Sequence, residues 1–418
     1  MSQPPDLPRI APRLGERALF PDLQPWAYLN HAGISPASRA VRVFVAAVMA
    51  DYAREGVGAL GRWTAQRQRL KASLADLLGA SADDLGLVGH TGAGLHAVAF
   101  GFPWRAGDQI LLFEGEFPAN VTPWQQAAAV FGLGIQWASL DPFAAPGGAD
   151  LGPLEAALRG GVRLVALSAV QYRSGLRVPL DAVADLCRAY GAALCVDAVQ
   201  AVGLVPIMAH SADFMAAAGH KWLMGPEGTG FLFVHPDRIA TLRPAVAGWL
   251  SHEDPVDFLV RGPGHLRYDK PVRQRADFVE AGAPNVPGFA GLEAALAPIR
   301  ALGRHRIFAH VQVYLDRLEA GLLARDFRSL RMPDIARRSG ILSVEVPADT
   351  TATALASALW RRGVAAATPD GVLRFSPHWA NSMKEPERVL DTLDEALREV
   401  RGVKAPTLVD LARARQGE

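Results

Sequence analysis

The sequence predicts an α/β protein with a mostly parallel sheet covered by helices, followed by a smaller α+β domain. Two observations carry this prediction. From about residue 85 to 234, short apolar runs of strand length alternate with amphipathic segments of helical period. That is the pattern of βαβ units whose strands are buried on both faces. Near residue 290 the alternation gives way to two helical stretches, then strand, helix, strand and helix, which reads as a separate α+β layer. The 418 residues, half of them apolar, suffice for one large domain and a smaller one.

The elements follow in order. Residues 1–25 are rich in proline and read as irregular. Over 38–54, Val41, Phe44, Val45 and Val48 recur at helical spacing, and a second helix over about 62–79 stops at Gly79. Residues 108–113, 162–170, 192–196 and 230–234 are short apolar strands, with an amphipathic helix over 180–190. Beyond 288, helices are expected over about 288–302, 304–323, 351–362 and 385–400, and strands over 340–346 and 371–376. Residues 143–150 and 261–264 read as loops. The stretch 403–418 reads as a frayed end.

Bulk properties narrow the function. Forty-three basic and 42 acidic side chains give a formal charge of +1, so neither nucleic acid nor an anionic membrane is expected as a partner. The two cysteines, Cys187 and Cys195, form no CxxC pair, and no disulfide framework is expected. Residues 1–21 lack the apolar run of a signal peptide, and no uncharged stretch approaches a bilayer span. A soluble, cytoplasmic protein is the expectation, with no metal site.

Ligands of open α/β sheets bind beyond the carboxyl ends of the strands, and three such places stand out. Gly89-His90-Thr91-Gly92-Ala93-Gly94 opens a helix-like segment. Its free backbone amides, with the Thr91 hydroxyl, suit an anion; the plain alternative is an N-cap at Thr91. Asp197 ends the strand 192–196, with Gln200 three residues on. A carboxylate there can hold a pyridine nitrogen protonated; the alternative is again a helix cap. Gly219-His220-Lys221-Trp222 lies in an apolar, glycine-rich setting. Burial lowers a lysine's pKa and frees the amine for Schiff-base chemistry; the alternative is a structural lysine. Pyridoxal 5′-phosphate (PLP) requires an anion cradle, a pyridinium partner and an amine. The three places supply these in that order.

Taken together, these strings resemble the class V aminotransferase family of fold-type I PLP enzymes, in the branches similar to cysteine desulfurases and isopenicillin N epimerase. The resemblance runs from Tyr28-Leu29-Asn30-His31-Ala32-Gly33 through GHTGAGLHAV, EGEFPANVTPWQ, LSAVQYRSG, CVDAVQAVG and AGHKWLMGPEGTGFL to FVEAGAPN and LRFSPHWANS. It implies the aspartate aminotransferase-like fold with a seven-stranded, mostly parallel sheet. The implied division is an N-terminal segment over 1–37 that contributes to the small domain and the active site, a large PLP-binding domain over 38–290 and a small domain over 291–418.

The resemblance also implies roles. Lys221 carries the cofactor as a Schiff base and later moves the substrate α-proton. Asp197 pairs with the pyridine nitrogen, and Gln200 bonds the phenolic oxygen. Thr91, Gly92 and Ala93 bind the phosphate. Phe117 stacks on the ring, and His220 lies beside the cofactor with an acid–base or phosphate-contact role. Arg374 matches the arginine that grips the substrate carboxylate, where a planar fork suits the geometry; its plain alternative is a surface arginine. His31 is placed near the substrate. A homodimer with shared active sites is implied, acting on a small amino-acid substrate.

Departures from the family pattern bear on the reaction. Phe117 stands where a desulfurase-like enzyme has histidine, and it cannot donate a proton. Ala218 and Ala283 replace two hydroxyl donors to the phosphate, whose substitutes include His210, Ser211 or an arginine. Ala169 aligns with an asparagine that lies near the cofactor's oxygen, with Gln171 as the substitute. The mobile cysteine of a desulfurase belongs near 365–380, which here reads AAATPDGVLRFSPHWA without one. Persulfide-forming desulfuration is therefore disfavoured, and kynureninase-like chemistry ranks lower because the lysine region differs. Transamination is the preferred expectation, with epimerisation or C–S/C–Se β-elimination as alternatives. An inactive PLP-binding paralogue is the non-enzymatic alternative, and intact Lys221, Asp197 and Arg374 speak against it.

Overall fold

The computed structural model describes residues 11–402. Strand β1 (Ala27–Tyr28) lies in an N-terminal strap that leads into helices α1 (Arg39–Glu55) and α2 (Leu60–Leu78). Ser38 opens α1 by accepting the Val41 amide, and Gly79 closes α2 in the left-handed region at φ 66°. Then β2 (Leu85–Val88), α3 (Thr91–Gly101), β3 (Gln109–Phe113), α4 (Thr122–Phe131), β4 (Gly134–Ala138), α5 (Gly152–Arg159), β5 (Val162–Ser168), α6 (Leu180–Ala189) and β6 (Ala193–Asp197) alternate. Strands β7 (Phe214–Ala218) and β8 (Gly230–Val234) follow directly on one another. Short helices α7 (Pro236–Ile239) and α8 (Asp257–Val260) precede the long α9 (Val286–Leu302) and α10 (Arg304–Leu323). The chain continues through β9 (Arg328–Ser329), β10 (Leu342–Glu345), α11 (Ala352–Arg361), β11 (Val364–Ala365), β12 (Leu373–Phe375) and α12 (Glu385–Val400).

The large sheet has seven strands in the order β2-β8-β7-β6-β5-β3-β4. All neighbours are parallel except β8, which runs antiparallel to both β2 and β7. The sheet divides two cores by simple alternation. Val165 and Leu167 of β5, Leu194 and Val196 of β6, and Met215 and Ala217 of β7 enter one core. Their neighbours Leu164, Ala166, Ala193, Cys195, Phe214 and Ala216 enter the other. Burying each Leu, Val or Phe among these contributes about 1.5–3 kcal/mol. With both faces covered, the strands read as continuous apolar runs, which made them visible in the sequence.

Two smaller sheets complete the fold. Strands β12, β10 and β9 pair antiparallel in that order, and β1 pairs parallel with β11. Asn30 also bridges to Ser376. The strap is therefore stitched to the C-terminal third of the chain, although it precedes α1. Helix α9 rests on α1 and α2 through Val286 and Ala290 against Val48, Ala59 and Trp63.

One sequence expectation changes, and one alternative falls away. The lysine segment does not sit on a βα unit. The 219–229 connection is too short for the helical crossover a parallel return needs, so β8 comes back antiparallel. No helix follows Asp197 directly either, so its carboxylate is not a helix cap. The expected frayed end, 403–418, lies outside the described residues.

Candidate active site

A cavity of about 650 Å³ opens where β2, β3, β6 and β7 end, on their carboxyl side. Thr91, Gly92, Phe117, Asp197, Gln200, His220, Lys221 and Arg374 all line it. These residues are spread from position 91 to position 374, and the sheet brings them to one rim.

Lys221 lies in the β7–β8 connection, where its backbone is held on several sides. Ser35 donates its amide to the His220 carbonyl (2.8 Å) and its hydroxyl to the Lys221 carbonyl (2.6 Å). His378 donates Nε2–H to the Trp222 carbonyl (3.0 Å). The tautomer follows because Nδ1 of His378 accepts the Trp379 amide (2.7 Å). Met224 closes the turn from a left-handed backbone, φ 58°, unusual for a side-chain-bearing residue. Trp222 lies against Gly203, where a Cβ would stand 2.3 Å from the Trp222 carbonyl oxygen. The lysine side chain is left to enter the cavity. Burial lowers its pKa to about 8; Asp197 opposes this and Arg374 adds to it.

Asp197 is 3% exposed, and its Oδ1 accepts the Val199 amide (2.9 Å). Burial raises its pKa to about 6, against the pull of the Val199 amide and of Lys221. No arginine or lysine among the described residues lies within ion-pair distance of it. Gln200 is held by its own neighbours. Its Oε1 accepts the Trp222 indole N–H (2.8 Å), and Nε2 donates to the Ala32 carbonyl (3.0 Å). Oε1 is thereby committed, so the second Nε2–H is the donor left over for a ligand.

Helix α3 begins at the cavity. His90, not Thr91, is its N-cap, with Nδ1 accepting the Ala93 amide (3.1 Å). That bond and one to the His90 carbonyl use the Ala93 N–H, so Ala93 presents no free donor and instead faces a neighbouring cavity. The amides of Thr91 and Gly92 remain at the positive end of the helix. The Thr91 hydroxyl accepts the Ala218 amide (3.0 Å), tying the helix start to the end of β7.

On the opposite wall, Phe117 meets Tyr172 edge to face, with ring centroids 5.4 Å apart, and the Lys221 amine lies 5.6 Å from the Phe117 ring. Arg374 of β12 is 5% exposed. Its Nη1 donates to the Tyr172 carbonyl (2.7 Å), and its Nε has no partner among the described residues. Burial lowers its pKa to about 10. A buried, underused guanidinium aimed into a cavity calls for a carboxylate.

Besides Ala93, two expected residues stay out of the cavity. Gln171 spends its side chain on its own loop. Nε2 donates to the Gly115 carbonyl, and Oε1 accepts the amides of Arg173 and Ser174. His31 is 3% exposed and lies behind the strap, with Nδ1 2.7 Å from the Ser35 hydroxyl and its ring against Tyr28 and His378. Since the Ser35 proton goes to Lys221's carbonyl, His31 donates to Ser35 and supports the lysine from behind. His220 lines the cavity, its pKa lowered by burial and by Lys221. His210 and Ser211 do not line it; Ser211 bonds Asp181 instead. Ser35 and Glu116 escaped the sequence reading: Ser35 lies 186 residues from its lysine partner, and Glu116 lies 52 from Ser168.

The family model for aminotransferase class V matches residues 34–373. The chain belongs to the class V aminotransferase family. It is similar to a probable cysteine desulfurase of Pyrococcus abyssi, 28% identical over 363 residues, covering 83% of this chain and 87% of the relative. It is 28% identical over 364 residues to isopenicillin N epimerase of Streptomyces clavuligerus, covering 84% and 88%. Its fold matches that of C-DES, solved as a variant with glycine covalently linked to its PLP cofactor. The TM-score is 0.82 at 23% identity, covering 90% of this chain and 98% of that one. The architecture is that of fold-type I PLP enzymes, and the cofactor of this class V enzyme is PLP. The donor set fits that group: helix amides for a phosphate, a cation-free carboxylate for a ring nitrogen, and an amine for the aldehyde. No described helix is long and apolar enough to cross a membrane, and the described residues hold no cluster of three or more metal-ligating side chains.

Proposed function

We propose that the chain is a PLP-dependent transaminase of an α-amino acid, with Lys221 as the cofactor lysine and proton carrier. The observation that carries the reading is the pairing, across one cavity, of the partly neutralised Lys221 amine with the buried guanidinium of Arg374. Arg374 would grip the α-carboxylate by its free edge and so present the α-carbon towards Lys221. The lysine amine, its pKa lowered to about 8 by burial, is suited to take the α-proton and return it. Bound PLP supplies the sink for the electron pair left behind. Asp197 would keep the ring nitrogen protonated, Gln200 would bond the phenolic oxygen, and Thr91 and Gly92 would hold the phosphate. Phe117 supports the ring by its face and gives no proton.

The thiols argue against persulfide formation. Cys187 and Cys195 are 1% and 0% exposed, and burial pushes Cys187 up to about 12 and Cys195 well above its ordinary value. Neither lines the cavity. A second reading, epimerisation or C–S/C–Se β-elimination, uses the same first proton transfer, and the similarity to an isopenicillin N epimerase favours keeping it in the test.

We also infer a cytoplasmic homodimer with shared active sites, divided into a large domain over 38–290 and a small domain over 291–418 joined by the 1–37 segment. The β1–β11 pair supports the last point. A second cavity of about 580 Å³, lined by 281–285, shares His90 and His96 with the first and supports a shared boundary.

The test is incubation of the holoenzyme with a panel of amino acids in deuterium oxide. Deuterium at the α-carbon with release of an oxo acid is expected for at least one of them, and Arg374→Ala should lower kcat/KM by about a hundredfold. Racemised substrate or released sulfide would select the second reading. No α-exchange with any amino acid would end both.

A further inference from the structure

Glu116 is a second carboxyl at the cofactor end of the sheet, and the roles above leave it unused. It follows β3 and turns back onto β5. Its Oε1 accepts the Ser168 amide (2.6 Å), and its Oε2 bonds the Ser168 hydroxyl. The side-chain nitrogen of Asn120 is buried nearby with no hydrogen-bond partner among the described residues. Ser168 is the last residue of β5 and pairs in register with Asp197, the last residue of β6. The Glu116 carboxyl is therefore tied to the end of β5, beside the end of β6 that carries Asp197. Neither carboxyl has a lysine or arginine within ion-pair distance among the described residues. The charged groups acting at this corner are Asp197 itself and, on Asp197, Lys221.

We propose that Glu116 is a positioning residue that works as a proton-holding partner of Asp197, setting how strongly Asp197 holds a proton on the cofactor's ring nitrogen. Two like charges on neighbouring strand ends do not ionise independently. Burial first, and then the charge on Asp197, lift Glu116 to about 7 against the bonds from Ser168. Between about pH 6 and 7 Glu116 is neutral and Asp197 bears the only negative charge of the pair. Above that range, the second charge deepens the negative potential at Asp197 and holds the ring proton to higher pH. Glu116 thus widens the pH range over which the electron sink stays charged. The inference rests on the cofactor site and not on which bond of the substrate is broken.

The test is a spectrophotometric pH titration of the holoenzyme, following the visible band of bound PLP from acid to alkaline pH. The wild type should show a step near pH 7 besides that of the lysine linkage. Glu116→Gln keeps the hydrogen-bonding shape and should lose that step. Ser168→Ala removes a bond to the ionised form and should move it upward by about one pH unit. If Glu116 only anchors the Phe117 loop, Glu116→Gln would titrate like the wild type, and the proposal would be overturned. An unmoved step in Ser168→Ala would overturn it too. A wild type with no visible band would overturn the cofactor site along with it.

Discussion

Asp197 and Arg374 both act on the proton of Lys221, and the directions are fixed by their charges. Burial disfavours the ammonium of Lys221, the carboxylate of Asp197 restores part of it, and the guanidinium of Arg374 opposes it again. Only the neutral amine attacks an aldehyde. Uptake of PLP by the apoprotein should therefore accelerate as pH rises through about 8 and level off above it. Asp197→Asn should move the midpoint down, and Arg374→Ala should move it up. Stopped-flow absorbance at a series of pH values checks all three curves; a midpoint at the ordinary lysine value would contradict the burial argument. At this scale much was legible. Thr91, Gly92, Asp197, Gln200, His220 and Lys221 are legible in strings at strand ends, and Phe117 and Arg374 through the family resemblance; all line one cavity, whereas Ala93 does not. His31 and Gln171 were named from the same strings but face inward, because a string fixes position along the chain and not side-chain direction. Ser35 and Glu116 carry no local signal, since their partners lie far away in sequence.

Elements place those residues, and the decisive one is the β7–β8 connection. It is clamped by the strap through Ser35, by the C-terminal region through His378, and by the 198–205 turn through Gly203. Gly203 combines a left-handed backbone, φ 106°, with the 2.3 Å approach of the Trp222 carbonyl oxygen. Gly203→Ala should cost about 3 kcal/mol or more, from strain and overpacking together. Thermal denaturation checks this, and an unchanged midpoint would contradict the packing described. The strands of the large sheet were legible because two-sided burial writes an apolar run. Strands β1, β9 and β11 span two residues each and leave no period to read. The antiparallel direction of β8 was missed because direction leaves no mark in a strand's own residues; the short connection before it was the available signal.

At the scale of the whole molecule, the strap joins the start of the chain to its end. Strand β1 pairs with β11, and Asn381 reaches the Tyr28 carbonyl (3.1 Å). The C-terminal elements are thus linked through the strap to Ser35 and to the backbone of Lys221. The second cavity lies beside the first, with His90 and His96 in their common wall. A shared-site dimer should elute at twice the mass of one chain, and dilution to monomers should abolish activity. Light scattering with parallel assays checks this; a fully active monomer would contradict it. The change of period near residue 290 falls at the start of α9. Assembly carries no periodic signal in the sequence and enters only as what the family resemblance implies.

The claim on which everything else depends is that Lys221 holds the cofactor. Reducing the PLP-loaded protein with borohydride, digesting it and mapping the modified peptide tests this directly. The geometry predicts a single pyridoxyl label, on Lys221, and none in Lys221→Ala. A label on another lysine, or no label in the wild type, would contradict it.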